Sequence, residues 1–141
     1  MDKFNVILNV KGSHVEGEEE NTLELLTEGS LTKYGEDKYI IEYDESEISG
    51  YESFTTRVII DGDKIALQRS GAVESGFVFK KSQKYEAIYK TPFGNKQVSI
   101  LPTLIASEVS AEKGSIGLEY VVSYENYSAL GKLYIDYKSK N

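Results

Sequence analysis

The chain has no cysteine and no tryptophan, and its 141 residues include two prolines, one histidine and one methionine. Without cysteine there is no disulfide, no thiolate zinc site, no iron–sulfur cluster and no cysteine nucleophile. That absence fits a reducing compartment. The lone histidine, His14, precedes the acidic run "EGEEE". A nucleophile–base–orienter triad would rest on that one residue, and no Gly-x-Ser-x-Gly elbow accompanies it. His14 reads instead as a polar residue near the end of a first strand. With one histidine, a metal site would have to be built from carboxylates. Neither "EGEEE", read as a solvated loop, nor "IDGDK" has the ligand spacing of a calcium loop. A phosphate-cradling loop is absent too. No metal and no cofactor is expected.

Positive charge is also in short supply. Sixteen Lys and Arg face 23 Asp and Glu, a net charge of −7 with a pI near 4.8. The basic residues are scattered, with small clusters at Lys80–Lys81 and Lys138–Lys140. Nucleic-acid binders carry a basic patch, so no nucleic-acid partner is expected. Long apolar runs are missing as well. Nothing approaches the ~20 apolar residues of a membrane helix, and "MDKFNVILNVKG" has no signal-peptide h-region. The expected setting is cytoplasmic, without a membrane partner.

What the chain does have is strand-forming residues: 11 Tyr, 5 Phe and many Val, Ile and Thr. Several segments alternate with period two. Phe4, Val6, Leu8 and Val10 share one face, as do Tyr39, Ile41 and Tyr43, and Leu133, Ile135 and Tyr137. "RVIIDGDKIALQR" places Asp-Gly between two apolar runs, a strong hairpin signal. A second hairpin is expected at Glu125–Asn126, and a third at the Pro92-Phe93-Gly94 turn. Thr103 to Glu112 partly fits a 3.6-residue period, but the β-prone stretch from Val98 to Ile105 favours a strand. Nine or ten strands follow, at the spacing of an all-β sandwich or barrel. A chain of this size buries roughly 68–70% of its unfolded surface and needs no staple. No linker or repeat divides it, so residues 1–141 are read as one domain. Closing an antiparallel meander into a barrel removes its edges. A barrel of eight or more strands is either filled by side chains or holds one small ligand.

An ordered set of motifs carries a resemblance over nearly the whole chain. They are "LLTEG" (25–29), "EYDES" (42–46), Gly50, "TTRVII" (55–60), "LQRSG" (67–71), "YKTPFG" (89–94), Thr103 and "GSIGLEYVVSY" (114–124). The chain resembles the YwiB-like family of bacterial proteins, a domain of unknown function. The resemblance implies one calycin-type (lipocalin-like) β-barrel of about eight to ten strands in a bacterial cytoplasm, and no established activity. The family's turn more often reads Thr-Pro-Tyr-Gly, so Phe93 departs from it by one hydroxyl.

Alternation continues the Ile65–Leu67 face to Arg69. An inward arginine needs a partner, because a lone buried charge is very costly. Glu45 shares parity with Tyr43 and supplies one. Two readings stand. Arg69 holds the acidic head group of a small, partly apolar ligand, helped by hydroxyls such as Tyr43 or Tyr89. Alternatively Arg69 pairs with Glu45 to plug a barrel end, or reaches solvent past the strand. Candidate ligand contacts are Tyr43, Glu45, Arg69, Tyr89, Phe93 and Tyr120. Non-enzymatic ligand binding is the first expectation. The rival is a filled barrel whose partner is a protein, met through an exposed edge or the Phe93 turn. A third reading, an acid–base enzyme using Glu45 and a tyrosine, has no motif behind it. Oligomeric state is not legible.

Overall fold

A computed structural model describes residues 2–44, 55–70, 75–80, 83–91, 94–124 and 127–140. Ten strands run in order: β1 (Asp2–Glu16), β2 (Glu19–Gly35), β3 (Lys38–Asp44), β4 (Thr55–Asp61), β5 (Lys64–Ser70), β6 (Ser75–Lys80), β7 (Tyr85–Thr91), β8 (Gly94–Val109), β9 (Lys113–Tyr124) and β10 (Tyr127–Ser139). They form one antiparallel sheet with the order β6-β5-β4-β3-β2-β1-β10-β9-β8-β7. The protein is thus an all-β, nearly closed ten-stranded barrel. The segment with a partial helical period is strand β8, which spans 16 residues. It absorbs Pro102 at a register shift between Pro102 and Leu104. Proline cannot donate to a ladder, and a bulge is where a strand tolerates it.

The barrel is joined through its first and last strands. β1 and β10 pair from Val6↔Ser139 to Val15↔Leu130. The open seam lies between β6 and β7, which follow one another in the chain. Among the described residues no ladder joins them; an isolated bridge, Lys80↔Gln83, lies in the connection just before β7. Inside the seam Phe79 of β6 meets Tyr120 of β9, with ring centroids 5.1 Å apart. This tilted contact brings the two halves of the sheet together through side chains.

Tight turns explain the strand lengths. Glu16 pairs with Glu19, so the acidic run is no loop: only Gly17 and Glu18 turn, and Gly17 has φ 63°. Glycine adopts that conformation at little cost, which lets β1 and β2 run out to the tip. Asp61 pairs with Lys64 around Gly62-Asp63, and Gly62 has φ 62°. The Asp-Gly hairpin therefore forms one residue later than its dipeptide. The amide of Gly62 donates to the carbonyl of Asp37 at 3.0 Å, joining two turns at the end where β1 begins, here called the lower end.

Alternation delivers the core. Val6, Leu8 and Val10 of β1 are buried, as are Tyr39, Ile41 and Tyr43 of β3, Ile65 and Leu67 of β5, and Leu133, Ile135 and Tyr137 of β10. Phe4 packs against them. Twelve interior side chains, drawn from nine of the ten strands, are less than 2% exposed. A wall of a water-sized cavity would register as exposed surface, so no such space touches these twelve. Among the described residues, the middle of the barrel is close-packed.

Candidate functional site and relatives

Register brings two of the candidate positions together. Tyr43 of β3 faces Gly29 on one side and Thr56 on the other. Thr56 in turn faces Arg69 of β5, and Arg69 faces Ser75. One cross-strand row thus reads Gly29, Tyr43, Thr56, Arg69, Ser75. Tyr43 is 3% exposed and Thr56 is fully buried, so these two side chains lie on the interior face. Among the described residues Thr56 is the buried polar residue of an otherwise apolar core. The row lies next to the strand ends Asp44, Thr55 and Ser70, at the upper end of the barrel, where the β1–β2 turn also lies. Gly29 keeps the row close-packed: a Cβ there would meet the carbonyl oxygen of Glu42 and sit 2.5 Å from Leu8 Cδ1.

The other candidates fall elsewhere. Tyr89 pairs with Lys96 near the upper end of β7, in register alternation with Tyr85, which faces the buried Ile100. Tyr120 is half-buried and is held against Phe79, which pairs with Ile65 rather than with the polar row. Glu45 and Phe93 lie outside the described residues. His14 is exposed, with Nε2 3.6 Å from Glu16 Oε2, a surface contact of small energetic weight. Among the described residues no three His, Asp or Glu side chains gather as a metal site. None of the described residues forms a helix able to cross a membrane.

Three features were not foreseen. The first is Thr56, for which the alternation of "TTRVII" is the available signal. The second is an open groove of about 630 Å³ at the lower end, lined by Glu108, Ser110, Lys113, Asp136, Tyr137 and Lys138. Its two lysines balance its two carboxylates, and its tyrosine is already used. The Tyr137 hydroxyl donates to the carbonyl of Ser110 at 2.7 Å and accepts from the Ser110 amide at 3.2 Å. Burial pushes this phenol up to about 12, against a smaller lowering by the Ser110 backbone.

The third feature is on the outside. Val15 pairs with Leu130, Leu130 with Val121, and Val121 with Leu101. Leu130 is 48% and Leu101 43% exposed, and Val15 and Val121 are half-buried. This apolar row crosses four strands, β1, β10, β9 and β8. Leu104, also exposed, stands beside it and faces Glu119. Directly opposed side chains in such a row touch one another, so it is one continuous surface. Period-two reading of each strand shows these residues as outward, but only the register aligns them.

Comparison with known proteins follows the same lines. No curated protein matches the chain. The crystal structure of the ywiB protein from Bacillus subtilis superposes with a TM-score of 0.83 at 24% identity, covering 99% of this chain and 94% of that one. That likeness concerns the fold. A family model described as a domain of unknown function matches residues 8–138. The chain belongs to this family, DUF1934.

Proposed function

We propose that this protein is a non-enzymatic interaction module, a filled barrel that presents its outer face to a protein partner. The observation that carries the reading is the apolar row Val15–Leu130–Val121–Leu101 over a close-packed interior. A ligand barrel needs an internal space, and the close burial of twelve described side chains in its middle supports a filled one. An interaction surface needs contiguous exposed apolar area, which the row supplies. A photoreactive benzophenone side chain at position 130 tests this. In cells it is expected to give a discrete protein adduct, and at position 57 on the outer face of β4 none. No adduct at position 130 would contradict the reading.

One observation favours a second reading. The buried Thr56 between Tyr43 and Arg69 puts polar groups on the interior face near the upper end. A small ligand with an acidic head group would be held there. Arginine suits a carboxylate or phosphate head through paired hydrogen bonds. A small mass retained by the native protein and lost in Arg69→Ala would favour this reading over the first.

A further inference from the structure

We infer that the partner met by this outer face is a second copy of the same chain, joined through a two-fold axis that runs parallel to the strands between β9 and β10. The inference rests on the interaction reading above and gives that surface a definite occupant.

The argument is one of self-complementarity. Beside the apolar row, the next outward row toward the lower end is Ser13, Lys132, Glu119 and Leu104. The row after it is Lys11, Tyr134, Gly117 and Ala106. A two-fold axis between β9 and β10 exchanges those strands at constant height. Leu130 then lies over the partner's Val121, and Val15 over the partner's Leu101. Lys132 lies over the partner's Glu119, and Glu119 over the partner's Lys132. The Tyr134 ring covers Gly117 of its own chain and so lies near the axis, where it meets the same ring of the partner. Apolar meets apolar, and each charge meets its opposite twice, as an isologous interface requires.

Within one copy the charges are only loosely matched. Lys132 Nζ is 3.9 Å from Glu119 Oε1, and Glu119 takes its close hydrogen bond, at 2.6 Å, from the Tyr134 hydroxyl. Both ionic groups therefore keep capacity for a second partner. The chain as a whole carries a net charge of −7, which opposes self-association in general. This face is the exception. The outward positions of β8, β9, β10 and β1 hold Lys3, Lys11, Lys113, Lys132 and Lys138 against Glu108, Glu119 and Asp136. The one unfavourable match, Lys138 over the partner's Lys113, lies eight residues along the strand from Leu130. That is about 26 Å away, and because barrel strands tilt about the barrel axis, the two convex surfaces curve apart along them by then.

The size of the patch sets the strength. Four strands at about 4.8 Å spacing and three outward rows at about 6.8 Å give a footprint near 400 Å² per copy. Stable interfaces of standard size bury about twice that on each side, and permanent dimers more. The dimer is therefore a reversible one, with a dissociation constant on the order of 10–100 μM.

Sedimentation velocity over a concentration series, on the full chain, tests the proposal. The wild type is expected to shift from monomer to dimer across that range. Lys132→Glu and Glu119→Lys each place like charges face to face twice and are expected to weaken association at least tenfold. An equal mixture of these two variants restores complementary pairs and is expected to recover a heterodimer near wild-type strength. Leu130→Asp is expected to abolish association, and Leu130→Ser to weaken it, with melting temperatures close to wild type because position 130 is exposed. A monomer at every concentration up to about 1 mM overturns the dimer. So does association that the Leu130 and charge variants leave unchanged, or a mixture that fails to recover. If the chain stays monomeric while position 130 still captures another protein in cells, the interaction reading stands and only the second copy falls.

Discussion

Gly131 faces Tyr120 across the β9–β10 ladder, and the tyrosine ring occupies the space that a Cβ at position 131 would need. The same strands repeat the device twice. Tyr134 lies over Gly117, and the Tyr137 hydroxyl sits 2.5 Å from where a Gly114 Cβ would be. Glycine alone weakens a strand, and a ring from the neighbouring strand restores the missing contact area. The three pairs alternate inside, outside, inside, so they fasten both faces of the hairpin that leads into the closing β1–β10 ladder.

Gly131→Ala is therefore expected to destabilise the protein, although alanine is normally the better strand residue. The Tyr120 ring has little room to yield, because Phe79 backs it at 5.1 Å. Overpacking of this kind costs about 1–3 kcal/mol. Urea unfolding of the single variant and of Gly131→Ala/Tyr120→Leu checks the cause. The double variant is expected to lose less than the sum of the single changes.

Tyr137 ties β10 to the β8–β9 turn through two hydrogen bonds to Ser110. Tyr137→Phe is expected to cost about 1–2 kcal/mol at neutral pH. A pH dependence follows from the same burial. The phenol sits at its ordinary 10.0 when unfolded and at about 12 when folded. Between these values the unfolded chain loses a proton that the native protein keeps, so stability is full below pH 10 and falls as pH rises toward 12. The slope approaches at most one proton, about 1.4 kcal/mol per pH unit. Denaturant midpoints across pH 9–12 should show this fall in wild type and a shallower one in Tyr137→Phe.

Ile135 is fully buried and sits in register between Val10 and Ile116, both nearly fully buried. Ile135→Ala is expected to cost about 2–5 kcal/mol, since a packed interior collapses poorly around a cavity. A much smaller loss in thermal or urea unfolding would mean that the barrel centre is looser than its burial indicates.

Much of this fold was legible from the sequence. Alternation alone assigned Val6, Leu8, Val10, Tyr39, Ile41, Ile65, Leu67 and Ile135 to the inside, because a period of two has only one buried phase. The expected hairpin at Glu125–Asn126 would by itself have paired Tyr124 with Tyr127. Counting outward from there reaches each glycine–tyrosine pair. The seam was harder to see. β6 and β7 are neighbours in sequence, and nothing in "KSQK" announces that the ladder is interrupted there. The candidate site was only half legible. Tyr43 and Arg69 do share a row, but through Thr56, which no composition rule marks. Tyr120 was grouped with them, whereas its ring packs against Phe79 of β6. The outer apolar row escaped notice because its four residues come from four strands, and a single strand shows each of them as one unremarkable exposed aliphatic.

Native mass spectrometry of the protein purified from cells, before and after mild denaturation, tests the filled barrel most directly. The account predicts the bare chain mass in both conditions, with no small molecule released, for wild type and for Arg69→Ala alike. A bound mass that leaves on denaturation and is missing in Arg69→Ala would contradict it and place a ligand at the Tyr43–Thr56–Arg69 row.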